Sequence, residues 1–396
     1  MSAKTKIFFY ILIFISLIFQ ISKFYSFFLE YSSWQYADWL LNYQGGFVRR
    51  GFIGEVLFKF HKYTNIRLDL LVLFLVSSLI VLNSSFLIRA LSFLDRNRID
   101  ILIFLSPGFF LYSLMNSEVI GRKDILFITF LGFMVFFFEK IKRNFQLIVF
   151  IFILYLLSLS HSGFLFYSPY LILLYFLNLI SKNEERFIID IFFILINLVI
   201  IFLLIYFNQG NENIVNSICE SIKEFISDEC GKTDQISWLN KSKIDYYSSK
   251  FNNGNIFFLK TFVIYVFSFV LIFIFISLRL KASYFQTYNK FLNNLNPFFL
   301  NIFLFFCTLP VFVLGIDWGR YICLSYTGSF YIYIFCLKKN LIRFTKNFEK
   351  FKIMNFKTFF VFIFIYSFFW TFPFYNATNI KLTLKKPVIS LLNKIN

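Results

Sequence analysis

Residues 187–207 read FIIDIFFILINLVIIFLLIYF. Only Asp190 carries a charge in this run. The apolar positions are continuous over about 20 residues, the length a helix needs to cross the hydrocarbon core of a bilayer. They do not alternate, as the strands of a closed barrel would. Similar runs lie near 7–29, 69–91, 101–116, 124–138, 145–160, 164–180, 256–278, 297–316, 320–337 and 358–375. The sequence therefore predicts an all-α polytopic membrane protein of about 11 transmembrane helices. It forms one transmembrane domain over residues 1–396, with no internal repeat.

Composition agrees. The chain has 396 residues, of which 59% are hydrophobic and 15% charged, with a mean hydropathy of +0.71. Soluble domains carry about 45–50% apolar and about 25% charged residues, so a soluble enzyme and a disordered chain are both excluded. The 65 Phe residues read as lipid-facing filler. The opening MSAKTK and the apolar run behind it resemble a signal peptide. No small-residue cleavage site follows and the run continues to about Phe28, so it reads as an uncleaved first span.

A formal charge of +18 suits nucleic acid or membrane topology. The charges do not form a soluble basic face, so no nucleic-acid partner is expected and topology accounts for them. With the N-terminus in the cytoplasm, the inner segments collect Lys4, Lys6, Arg89, Arg96, Arg98, Lys140, Lys142, Arg143, Lys182, Arg186, Arg279, Lys281, Lys290 and the basic block 338–357. The opposite orientation places that block outside, against the positive-inside bias. The C-terminal tail, with Lys381, Lys385, Lys386 and Lys394, falls outside and argues against this count.

In this orientation the outer segments are 30–68, the turn 116–124, the turn at His161, the polar loop 208–255 and the turn 317–320. Every conspicuous polar cluster lies on that face. Cys219 and Cys230 fall in the same outer loop, where an oxidising compartment favours a disulfide over two free thiols. Cys307, Cys323 and Cys336 lie within spans. No CxxC or Cys/His zinc spacing is present.

The first outer loop contains WQYADWLLNYQGGFVRRGFIGEVLFKFHKY, residues 34–63. Gly45 and Gly46 allow a turn that brings backbone close to a ligand. Arg49 and Arg50 supply planar donor forks suited to phosphate. Phe52, Ile53, Val56, Leu57 and Phe60 recur at helical spacing, with Glu55, Lys59 and Lys62 opposite, which predicts an interfacial helix over 51–63. Trp34, Tyr36 and Trp39 suit sugar faces, or an aromatic belt at the headgroups. Asp38, an isolated carboxylate, and the Arg pair fit either a site or a solvated loop.

Three further clusters carry polar chemistry. Residues 105–127, LSPGFFLYSLMNSEVIGRKDILF, place Pro107 in a span and crowd Glu118, Arg122, Lys123 and Asp124 into the next turn. That turn is a charged wall of an interfacial site or a self-neutralising cluster. His161, in LSHSGFLFYSP, suits ligand hydrogen bonding, proton transfer or a structural cap. In GIDWGRY, Asp317 and Arg320 are three apart and face one side of a helix, as site residues or as an interfacial ion pair, with Trp318 a further sugar-binding candidate. GxGxxG, Walker, GxSxG and HExxH patterns are absent, so nucleotide-driven pumping and serine or zinc hydrolysis lack motif support.

This order of features resembles the integral-membrane glycosyltransferases of the GT-C fold over roughly residues 1–180. The shared layout is one crossing, a long first outer loop with an acid and an interfacial helix, and a short second outer turn with another acid after a Pro-containing span. Asp38 matches the first acid and Asp124 the second. Asp38 is followed by Trp39, where some families of that class carry paired acids. Residues 181–396 correspond to the variable spans of that class. The resemblance implies a polyprenyl-phosphate-linked sugar as donor, a glycan or lipid acceptor, and inverting transfer on the periplasmic face of a bacterial cytoplasmic membrane. It implies Asp38 as general base, with Asp124, His161 and Asp317 as further catalytic candidates. Arg49, Arg50, Arg122, Lys123 and Arg320 are then candidates for the departing phosphate. No cofactor is fixed beyond the lipid-linked donor, and a divalent metal is an open expectation. Two alternatives remain: a Wzy/WaaL-like polysaccharide polymerase or ligase relying on Arg320 and His161, with 208–255 as substrate loop, and a lipid-linked sugar flippase. The loop reading also expects Asp38→Asn to leave expression and donor binding nearly intact.

Overall fold

A computed structural model describes residues 3–30, 34–94, 98–182, 187–226, 230–231, 235–239, 255–287, 289–315, 317–345, 356–372 and 381–382. The expected outer-loop segment 240–254, most of the basic block 346–355 and the tail beyond Leu382 lie outside them. Among the described residues, seven helices are long and apolar enough to cross a membrane: Lys6–Leu29, Leu68–Leu91, Arg143–Ser160, Ser162–Ile180, Ile188–Phe207, Thr261–Lys281 and Pro297–Leu314. The architecture is that of a polytopic helical membrane protein. Among the described residues the strands form two short antiparallel pairs, Ser283–Phe285 with Ile342–Phe344 and Trp370–Thr371 with Lys381–Leu382.

The other expected spans differ in form. The run 101–116 is not one helix: it breaks into α1 (Arg98–Phe104) and α2 (Leu111–Met115). Pro107 donates no backbone hydrogen bond and disfavours helix in Ser106 before it. Gly108 lies so close to Ile272 that an added Cβ would sit 2.5 Å from its Cγ2. Asp124–Phe136 and Thr358–Phe368 are apolar but short. Trp318–Lys338 has 21 residues, and nearly all of them from Gly319 to Cys336 are buried. Its Ser, Thr and Tyr side chains face protein, so it reads as less apolar than its neighbours.

The chain divides into two compact units, one of residues 1–9, 90–119 and 250–396, the other of residues 10–89 and 120–249. In the first unit, Asp100 and Arg279 form a fully buried ion pair, with Arg279 Nε 3.1 Å from Asp100 Oδ1. Tyr333 OH donates to Asp100 Oδ1 at 2.7 Å, and the Arg279 guanidinium lies 3.5 Å from the centroid of Phe344. A buried charge needs such a partner set, and this one ties three helices together.

In the second unit, α3 (Arg143–Ser160), α4 (Ser168–Ile180) and α5 (Phe187–Phe207) share a polar end. Arg143 Nη2 lies 2.6 Å from Asp190 Oδ2, and Tyr175 OH donates to the same oxygen at 2.7 Å. Outward-facing α5 residues such as Ile188, Phe192, Val199 and Phe207 are exposed apolar surface, as a lipid-facing helix requires. At 1.5 Å rise per residue, Asn208 lies about 27 Å along α5 from Asp190, close to the thickness of a bilayer core.

The interfacial helix of the first loop forms over Phe52–Thr64. Val56, Phe60 and Tyr63 make its exposed apolar face. Its buried face is Gly54, Glu55 and Phe58, so Glu55 points inward rather than with the expected polar side. The reason is local: Glu55 Oε2 accepts from the Tyr43 N–H at 2.8 Å and from Gln44 Nε2 at 3.4 Å. Gly54 allows the contact, since a Cβ there would meet Leu41 O at 1.8 Å.

Candidate functional site

The second unit gathers parts of three segments that the sequence reading expects on the outer face. A single turn over Trp34–Ala37 and a 3-10 turn over Asp38–Leu40 carry the first acid. Trp39 Nε1 donates to Gly121 O at 2.6 Å, which ties the first loop to the turn before Arg122. Gly121 adopts φ +75°, and a Cβ there would lie 2.1 Å from Phe24 Cδ2, so the turn demands glycine. Lys123 follows, and Asp124 opens the helix Asp124–Phe136, where an acid meets the positive end of the helix dipole.

Asp38 is not in a solvated loop. It is 4% exposed and Lys123 is 1% exposed, with Lys123 Nζ 3.5 Å from Asp38 Oδ1. The reason is that Tyr36, Trp39, Leu40 and Leu41 around it are fully packed. Lys123 Nζ also donates to Arg50 O at 3.0 Å. Burial lowers the Lys123 pKa and Asp38 opposes that shift, with Arg50 adding to the lowering.

Arg49 is 7% exposed. Its Nε has no hydrogen-bond partner, and among the described residues its guanidinium has no ion pair. Burial, and then the charge of Arg50, lower its pKa to about 10, so it remains a cation at neutral pH. Leaving such a group without a counter-ion is costly. Arg50 Nη1 donates to Gln235 Oε1 at 3.3 Å, and the Arg49 N–H donates to Asn208 O at 3.2 Å.

The third segment is stapled by the Cys219–Cys230 disulfide, with the two Cα atoms 5.8 Å apart. It packs onto the first loop at several points. Asn42 Nδ2 donates to Ser221 Oγ at 3.0 Å, and a Cβ on Gly45 would lie 2.8 Å from the Ile214 backbone. Trp34 meets Trp238 edge-on at 6.0 Å.

The remaining candidates are placed differently. His161 is buried and its Nδ1 accepts from the Gly163 N–H at 3.2 Å, capping the turn Ser162–Tyr167. Arg122 is half-buried beside Lys123. Tyr36 and Trp39 are buried within the packing, while Trp34 is half-buried. Asp317, Trp318 and Arg320 belong to the other unit. There Arg320 Nη1 lies 3.0 Å from Asp317 Oδ2, and Trp318 Nε1 donates to Phe312 O at 2.8 Å.

Sequence reading missed Gln235 and the inward Glu55. A lone Gln in a polar loop carries no motif, and only its contact with Arg50 reveals it. Among the described residues no group of three or more His, Cys, Asp or Glu is placed to hold a metal ion. The ion-pair partner of Asp38 among the described residues is the Lys123 ammonium. No family model, curated protein or solved structure matches the chain.

Proposed function

We propose that this chain is an integral-membrane glycosyltransferase, which moves a sugar from a polyprenyl-phosphate-linked donor to a glycan or lipid acceptor. The single observation that carries the reading is Arg49, a buried guanidinium without an ion-pair partner among the described residues, beside Arg50 and Lys123. Two buried cations, Arg49 and Lys123, with the half-buried Arg50 suit a ligand that brings its own negative charge, and guanidinium forks match phosphate oxygens. Asp38, 3.5 Å from Lys123 Nζ, offers a carboxylate oxygen for the proton of an attacking hydroxyl.

In this reading the acceptor hydroxyl attacks the anomeric carbon and its proton passes to an Asp38 oxygen. The bond from the anomeric carbon to the phosphate oxygen breaks, and the leaving phosphate gains negative charge. Arg49, Arg50 and Lys123 stabilise that charge where it develops. Displacement from the face opposite the phosphate inverts the anomeric centre.

The topology we propose places the N-terminus in the cytoplasm, with eleven crossings that include the broken segment 98–115. Segments 30–68, 116–124 and 208–239 then lie on the outer, periplasmic face of a bacterial cytoplasmic membrane. Two facts support a common face for the site: Arg49 touches the Asn208 end of α5, and the Arg143–Asp190 pair marks its other end.

The test is transfer of labelled sugar from a polyprenyl-phosphate donor in membranes with matched protein levels. Arg49→Ala should weaken donor binding as well as rate. Asp38→Asn should lower the rate by about 10²–10⁴-fold. Movement of the lipid-linked sugar with no new glycosidic bond would replace the reading with a flippase. A near-normal rate in Asp38→Asn with loss in Arg320→Ala would favour the polymerase-like alternative.

A further inference from the structure

We propose that Gln235 is a positioning residue of the phosphate site, and that stretches 208–226 and 235–239, with the Cys219–Cys230 staple, form the wall that aims Arg49 and Arg50. This deepens the reading above and rests on its anion site.

The argument begins with what a guanidinium needs before its ligand arrives. Arg carries long side-chain entropy, and an unheld fork would pay to order itself on binding. Arg50 is held by the Gln235 carbonyl oxygen, and Gln235 is itself buried. The Arg49 backbone is held by the Asn208 carbonyl. Both anchors belong to the third outer segment, far from the Arg pair in sequence.

The identity of the anchor matters. An amide oxygen fixes the direction of a guanidinium through a hydrogen bond and adds no charge. A carboxylate at the same place would hold Arg50 more strongly, but would bring a negative charge into a buried cationic cluster. It would then compete with an incoming phosphate. A neutral residue at this contact adds no charge that would compete with an anion.

The segment is also held in place. Cys219–Cys230 closes it, and Gly231 lies at φ +78°, where an added Cβ would sit 3.4 Å from Cys219 Sγ. Gly45 and Ile214 pack backbone to backbone, so a shift of the segment moves the first loop with it.

The experiment measures binding of two probes, farnesyl phosphate and inorganic phosphate, to the full-length protein in nanodiscs, alongside the unfolding midpoint without probe. Wild type should bind at least one probe, and Arg49→Gln should lose it. Saturation by farnesyl phosphate alone assigns the site to a lipid-linked phosphate, and saturation by both to phosphate from either source. Gln235→Glu should weaken binding at least tenfold, about 1.4 kcal/mol, with an unfolding midpoint equal to or above wild type. A purely structural glutamine would instead lose stability and binding together. Gln235→Met, a neutral replacement of similar length, should weaken binding about three- to tenfold through lost orientation. It keeps the test decisive if the Glu variant fails to fold. Replacing both Cys219 and Cys230 with Ala should weaken binding in the same direction. Arg49-dependent binding that is unchanged in both Gln235→Glu and Gln235→Met overturns the role of Gln235 and leaves the anion site standing. No binding of either probe by wild type overturns the anion site itself.

Discussion

The Asp38–Lys123 pair separates what holds the site together from what does chemistry there. The two groups are 3.5 Å apart and both nearly sealed from water. Removing one partner of a buried pair leaves the other charge uncompensated, at about 3–5 kcal/mol. Asp38→Asn keeps an acceptor oxygen, so it falls near the lower end, about 3 kcal/mol. At about 2 °C per kcal/mol for a large chain, the unfolding midpoint should drop by about 6 °C. Lys123→Met should cost at least as much, because it strands the carboxylate and also removes the donor to Arg50 O. The double variant removes both charges together and should recover about half of the loss or more.

Activity should not follow stability. If Asp38 takes the proton, the double variant stays inactive while its midpoint recovers. The assay pairs thermal unfolding in nanodiscs with transfer of labelled sugar from a polyprenyl-phosphate donor. An unchanged midpoint in Asp38→Asn would refute the buried pair. Recovered transfer in the double variant would refute Asp38 as base and leave it a partner for Lys123.

The remaining predictions test separate parts of the structure. Because burial lowers the Lys123 pKa, the folded state binds fewer protons than the unfolded chain between that value and the ordinary 10.5. Stability carried by this residue should therefore rise as pH climbs through that window, and the rise should vanish in Lys123→Met. Burial lowers the Arg49 pKa to about 10 yet leaves it a cation from pH 7 to 9, so Arg49 ionisation should not change phosphate binding over that range; a fall centred near pH 7 would point to another group. Gly54→Ala drives a Cβ into Leu41 O and should lower stability by about 1–3 kcal/mol, read from the same unfolding curves. Cys219 and Cys230 should resist alkylation in unfolded, unreduced protein and react after reduction, as mass spectrometry of the alkylated peptides would show.

The helices were legible because their signal is one of composition. A run such as 187–207 can satisfy its backbone in lipid only as a helix, and the structure forms one over Phe187–Phe207. The break at Ser106–Gly108 was less legible. Pro107 announces strain, but whether a helix bends or ends depends on a neighbour, here Ile272, that lies far away in sequence. The segment 318–338 shows the converse. Its length is right, yet its polar residues face protein, so hydropathy understates how well it packs.

The site was legible in its residue types and not in its burial. Arg49, Arg50, Lys123 and Asp38 stand out as charges in outer segments, but sequence assigns such charges equally to water. Trp39 shows why the difference is large: the ring suggested as a sugar platform is fully buried and hydrogen-bonded to Gly121. That contact joins the first loop to the second turn, and with Tyr36, Leu40 and Leu41 also packed, Asp38 and Lys123 lie in a low-dielectric setting. In water an exposed cation near phosphate is worth little, because solvent and salt screen it. Under the proposed function, the same cations behind Trp39 and the stapled segment act at close range on a phosphate that gains charge as it leaves. The packing that made these residues ambiguous in sequence is therefore what gives their charges chemical force.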